Sequence, residues 1–139
     1  HVYEVHGSPV VHACRHCGDV KTFDEIVAMI EANGGAAKLG EPYVPRCACG
    51  GPYKPAITFF GEMLPEAAFR SAQELAISSD VFLVLGTSLT VHPAAGLPRL
   101  TLQAGGKVFI VNGQPTALDD YAAARYDDLK SFADAVLAL

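Results

Sequence analysis

Four cysteines stand in two close pairs, Cys14-x-x-Cys17 and Cys47-x-Cys49, with a long stretch between them. Thiols so arranged either close disulfides or hold a metal. Four thiolates meet the tetrahedral preference of Zn²⁺, and two sequence-local pairs lower the entropy cost of assembling such a site. No basic segment followed by an apolar one opens the chain, so nothing argues for secretion; the metal reading is favoured and a cytoplasmic location is expected. The second pair is C-x-C rather than the commoner C-x-x-C, which changes how the backbone wraps the ion. His12 and His16 lie near enough in sequence to replace a cysteine but are expected at the surface. Four cysteines leave no open coordination position, so the metal would be structural. A different chemistry attaches to His6, followed by Gly7. Imidazole alone titrates naturally near neutral pH and suits a general base. Taken by itself, a single histidine beside a strand is more often structural.

These residues need elements to position them. Residues 1–11 read as a short strand ending at His6-Gly7-Ser8, with Val2-Tyr3-Glu4-Val5 extended. Thr22-Phe23-Asp24-Glu25 has the form of a capping box, and Phe23, Ile26, Val27 and Ile30 follow at helical spacing until Gly34-Gly35 stops the helix. Residues 38–53, with prolines and glycine turns, read as loop. Pro65 suits the first turn of a helix whose apolar face is Ala68, Phe69, Ala72, Leu75 and Ala76. Val81–Leu85 is a continuous apolar run ending at Gly86, the pattern of a parallel strand buried on both faces. Residues 107–112 form a second such run, and about twenty residues between the two suffice for a crossover helix, interrupted at Pro98. Leu129, Phe132, Val136 and Leu139 make a last amphipathic helix, with Asp127 or Asp128 at its start. Strand and helix alternating in this order predict an open α/β sheet.

The composition agrees with a globular α/β protein. Of the 139 residues 50% are hydrophobic and 18% charged, enough apolar material for a core. No apolar run approaches the length of a membrane-spanning helix. A formal net charge of −5 disfavours nucleic acid as a partner and is compatible with a basic peptide.

His6-Gly7-Ser8, the two cysteine pairs, Lys54-Pro55-Ala56-Ile57-Thr58-Phe59-Phe60-Gly61-Glu62-Met63-Leu64-Pro65, Gly86-Thr87-Ser88-Leu89 and Val111-Asn112 follow one another in the order and rough spacing of a sirtuin core, and the chain resembles that family from its first residue to about Asp128. The resemblance implies a fold: a partial Rossmann-like parallel sheet, its C-terminal half, with a small inserted zinc-binding module. The lobe would comprise residues 1–11 and 56–139, the module residues 12–55. It also implies an activity, the NAD-dependent removal of acetyl or other acyl groups from protein lysines, giving nicotinamide and O-acyl-ADP-ribose.

By the same resemblance His6 would be the catalytic base, and Cys14, Cys17, Cys47 and Cys49 would hold structural Zn²⁺. Thr58, Phe59, Phe60, Gly61 and Glu62 would bind the acyl-lysine peptide, to which an extended segment can add a strand. Phe60 would line the acyl-lysine tunnel, the Thr58 carbonyl would accept the amide N–H, and one of the two phenylalanines is expected in the core. Gly86, Thr87 and Ser88 end a strand where open α/β sheets place ligands, and with Asn112 and Asp128 they would face NAD; capping explains Asp128 equally well.

Two family elements that precede the His-Gly motif are not found in the sequence: the Gly-Ala-Gly-x-Ser loop for the NAD diphosphate and the Gln-Asn-x-Asp segment for nicotinamide. The chain is therefore expected to be a partial sirtuin core, inactive alone, with a sheet edge open to self-association. A non-catalytic zinc-ribbon interaction module on an α/β lobe is the alternative. An ordinary NAD dehydrogenase is disfavoured, because no G-x-G-x-x-G follows a strand.

Overall fold

The computed structural model describes residues 1–35 and 43–138. The chain divides into two compact units, one of residues His6–Pro65 and one of His1–Val5 with Glu66–Leu139.

In the first unit an antiparallel sheet runs in the order β2-β1-β3, built from β1 (Gly7–Cys14), β2 (Val20–Thr22) and β3 (Tyr53–Ile57). The strand expected to end at His6-Gly7-Ser8 instead begins at Gly7, and His6 sits in the turn before it. The reason is pairing. Gly7 and Ser8 find Ile57 and Ala56 opposite them, whereas residues 2–5 have no strand partner among the described residues. The register slips between Ser8 and His12. β3 begins at Tyr53, the last residue of the segment expected to be loop, and is not among the elements expected from the sequence; Pro55 masks it, yet proline is tolerated because β3 lies at a sheet edge. Residues 38–42 of that segment lie outside the described residues.

Helix α1 (Phe23–Ala32) starts as expected. Thr22 Oγ1 accepts from Glu25 N–H at 3.2 Å, and Glu25 Oε2 accepts from Thr22 N–H at 2.8 Å. Asn33 caps its other end, and Gly34 and Gly35 turn away in left-handed conformation. Ile26 of α1 packs with Cys14 and Tyr53 in a small core, joined by the half-buried Met29, Ile30 and Cys47.

In the second unit α2 (Glu66–Ser78) follows directly on Pro65. The parallel sheet has the order β4-β5-β6, from β4 (Val81–Leu85), β5 (Lys107–Val111) and β6 (Ala124–Tyr126). Between β4 and β5 lies α3 (Leu97–Gln103), which carries Pro98 in its first turn, where a missing N–H costs nothing. Val84, Val108, Ile110, Leu89, Ala95 and Leu118 form the core. Thr101 is buried on α3 and donates its hydroxyl to Ala76 O of α2 at 2.6 Å. The last helix, α4 (Leu129–Leu137), packs on β6; Leu139 lies outside the described residues.

The expectation that β4 is buried on both faces is corrected. Val84 is buried, but Val81, Leu83 and Leu85 on the other face are 54%, 40% and 49% exposed. β4 is an edge strand, and only one of its faces is covered. β6, three residues long and mostly small or polar, has no counterpart among the elements expected from the sequence. The α/β class with a parallel sheet and a separate cysteine-bearing unit is what the chain forms.

Candidate functional site

The cysteine pairs come together from the ends of two strands. Cys14 closes β1, Cys17 lies in the turn towards β2, and Cys47 and Cys49 lie in the loop before β3. That loop is tight: Gly50 takes a left-handed φ of 85° and its N–H donates to Cys47 O at 2.8 Å, while Cys47 N–H donates to Gly51 O at 2.8 Å.

The four Sγ atoms lie within 4.8 Å of one another, with Cys14 to Cys49 at 3.5 Å and Cys17 to Cys47 at 3.7 Å. Tetrahedral Zn²⁺ with Zn–S near 2.3 Å requires sulfurs roughly 3.8 Å apart. The four thiols are unlinked, at a spacing that suits a shared metal ion. The electrostatics of the cluster agree. Cys14 is pulled down to about 6, chiefly by the backbone N–H of Cys17. Cys47 is lowered by the N–H of Cys49 and then by the Tyr53 hydroxyl. The N–H of Asp19 acts to lower Cys17, but Cys49, Cys14 and Cys47 together push it up to about 12. A cluster that accepts some negative charge and resists more is one that a dication relieves. The Tyr53 hydroxyl donates its proton to Asp19 Oδ2 at 2.5 Å, which fixes the hydroxyl beside Cys47. The residues present fit structural zinc.

The two histidines near the cluster part company. His16 is exposed as expected, but His12 is 8% exposed, set in β1 with its ring 6.2 Å from that of Phe23. Strand alternation explains this, since His12 points to the same face of β1 as Cys14.

His6 presents an exposed ring, while its carbonyl accepts from Thr58 N–H at 2.9 Å. Gly7 makes that approach possible. Its φ is 73°, and a Cβ there would lie 1.9 Å from Ala56 O. A backbone hydrogen bond therefore ties the start of the 58–62 stretch to His6. Gly61, at φ 86°, completes a turn closed by Glu62 N–H to Phe59 O at 3.0 Å. Neither phenylalanine is a core residue, contrary to expectation. Phe60 is 93% exposed, and Phe59 is half-exposed with Lys54 Nζ 4.4 Å from its ring centroid.

In the other unit, Gly86, Thr87 and Ser88 follow β4 as an exposed loop. Gly86 N–H donates to Val111 O at 2.9 Å, and Ser88 and Thr90 share a hydroxyl contact of 2.9 Å. The loop is pinned by Leu89, buried in the core although its φ of 55° is unusual for a branched side chain. Nothing in sequence marks Leu89 as that anchor beyond its place after the hydroxyls. Asn112, just past β5, donates from Nδ2 to Gln114 O at 2.8 Å, and its carbonyl accepts from Arg125 at 2.9 Å. Arg125, which belongs to no motif in the sequence, also pairs with Asp119 and Asp127. Asp128 N-caps α4: its Oδ1 accepts from Ser131 N–H at 2.8 Å, and that bond holds its carboxyl below the usual range.

Comparison with known proteins places these features in a family. The Sir2 family model matches residues 1–93. An NAD-dependent protein deacylase of Mycobacterium tuberculosis is 46% identical over 121 residues, covering 87% of this chain and 48% of the relative. An NAD-dependent protein deacetylase of Thermotoga maritima is 37% identical over 138 residues, 98% of this chain and 52% of the relative. A solved structure of Sir2Tm bound to a propionylated peptide superposes with a TM-score of 0.86 at 37% identity, covering 99% of this chain and 55% of that one. The chain thus spans about half the length of the curated relatives it matches.

Proposed function

The chain belongs to the Sir2 family, and from that premise we propose that the protein removes acyl groups from lysine side chains at the expense of NAD. The observation that carries the reading is the match, over nearly the whole chain, to a Sir2 structure holding an acylated peptide. In this reaction the acyl oxygen attacks the ribose carbon that bears nicotinamide, and nicotinamide leaves. A base then takes the proton of a ribose hydroxyl, which attacks the acyl carbon; water completes the release of lysine and O-acyl-ADP-ribose.

His6 is the base in this proposal, with its ring exposed and its backbone tied to Thr58. Residues 58–62 take the peptide in extended form, with Phe60 at the acyl-lysine. Gly86, Thr87, Ser88 and Asn112 meet NAD, and Asp128 adds to that side only as far as its capping bond permits. Zn²⁺ on Cys14, Cys17, Cys47 and Cys49 holds the 12–55 module together and takes no part in the reaction. Reduced thiols of this kind belong in a reducing compartment, which is the basis for placing the protein in the cytoplasm; no helix among the described residues is long and apolar enough to cross a membrane. The chain of 139 residues by itself is proposed to be inactive, and to self-associate through β4.

His6→Ala in the full-length protein tests the assignment. The variant should keep its zinc and its affinity for acyl-lysine peptide and lose turnover by about 10²–10⁴-fold. A loss well under tenfold would pass the base role to another group. Hydrolysis of the peptide without NAD would end the proposal as a whole.

A further inference from the structure

The stretch from Ile57 to Glu62 is knotted around one lysine. Lys54, on β3, donates from Nζ to Ile57 O at 2.8 Å and to Glu62 Oε2 at 2.5 Å, and the same ammonium stands 4.4 Å from the Phe59 ring centroid. Glu62 Oε2 also accepts from Phe59 N–H at 2.9 Å. One cation thus touches the beginning, middle and end of the loop. The pair is partly shielded, with side-chain exposures of 21% and 36%. The Glu62 carboxyl is held below its usual range by Lys54 first and by the Phe59 N–H second, and the charge of Arg15 adds to this. Lys54, Glu62 and Arg15 line the wall of a cleft of about 420 Å³ together with Ile57, Thr58 and Met63.

Glu62 therefore turns its carboxylate inward, onto its own loop. A loop that binds a peptide does so most tightly when its conformation is already held in place, because ordering it on binding subtracts from affinity. We propose that Lys54 is the positioning residue of the acyl-peptide segment, fixing residues 57–62 through Glu62 and Phe59, with the Glu62 carboxylate as the inner half of this clasp. The inference rests on the reading of residues 58–62 as the peptide site.

The test uses Lys54→Met in the full-length protein, which keeps the apolar stem and removes the ammonium. The KM for acyl-lysine peptide should rise at least about tenfold, while kcat at saturating peptide and the KM for NAD stay within about twofold. Lys54→Arg should recover most of the loss, since a guanidinium also pairs with a carboxylate. Amide exchange at Phe59 should quicken in Lys54→Met, a readout of the clasp that needs no substrate. An unchanged peptide KM in Lys54→Met, or an equal loss for peptide and NAD with reduced zinc content, overturns the inference. Wild-type protein with no affinity for acyl-lysine peptide overturns the peptide site and the inference with it. Should Lys54→Met fail to fold, Glu62→Gln decides: it keeps an acceptor for Phe59 N–H and removes the charge pair, so the peptide KM should still rise, and no change overturns the proposal.

Discussion

Gly51 is buried against the cysteine cluster, and a Cβ on it would meet Cys14 Sγ at 2.7 Å and the His16 side chain at 2.8 Å. His16 is exposed and can swing away; Cys14 cannot move without leaving the tetrahedron. Gly51→Ala should therefore lower zinc affinity by about tenfold or more, as disturbances around metal ligands do, measured by competition with a chromophoric chelator. Equal affinity in the variant would show that the loop has room to relax. The ligands themselves are legible in sequence because each pair is local, so spacing alone brings two sulfurs together. Lys54 and Glu62 are not legible in that way. Their meeting depends on the turn at Gly61 and the edge position of β3, neither of which periodicity records. One of Phe59 and Phe60 reads as a core residue by type, yet both are exposed, Phe60 the more so.

Helix α1 has ten residues, too few to be stable alone in water. It depends on its cap and on a core in which Cys14, a metal ligand, is one of the buried members. Thr22→Ala removes the acceptor for Glu25 N–H and should cost about 1 kcal/mol, read from the denaturant midpoint. Glu25 adds a pH dependence. The Thr22 N–H first, and then Lys21, pull its carboxyl down to about 2 from an ordinary 4.5. A carboxyl that binds its proton less readily in the fold than in the open chain stabilises the fold above the open-chain value. That contribution drains away as pH falls from about 4.5 towards 2. The stability difference between wild type and Glu25→Gln should accordingly be largest near neutrality and shrink below pH 4.5, whereas acid release of metal is common to both proteins. A difference that stays constant with pH would remove Glu25 from the account. The capping box is legible in residue types and spacing alone, and so is the long apolar run of β5. β2 and β6 have three residues each, too short for any period to declare itself, and β3 hides behind Pro55.

At the scale of the molecule, the strands of the parallel sheet differ in what they leave open. β5 is paired on both sides and almost wholly buried at Val108, Ile110 and Val111, while β4 is paired on one side only among the described residues, with three apolar side chains on an exposed face. A parallel strand of such composition is ordinarily covered on both faces, and an uncovered edge with unpaired N–H and C=O groups templates association. The sequence shows the apolar run but not how much of it is covered, because burial depends on neighbours that periodicity cannot place. The 139-residue chain should therefore form dimers or larger species at concentrations of tens of micromolar, as sedimentation equilibrium would reveal. Leu83→Lys should shift it towards monomer, since Leu83 lies on the exposed face and away from the core of Val84, Val108 and Ile110. The melting temperature measured at a dilution where wild type is also monomeric should change little, because the substitution removes few buried contacts. A chain that stays monomeric throughout, or one whose association ignores Leu83→Lys, would show that this face is not where copies meet. A large fall in melting temperature would instead mean that Leu83 packs within its own unit more tightly than its 40% exposure implies.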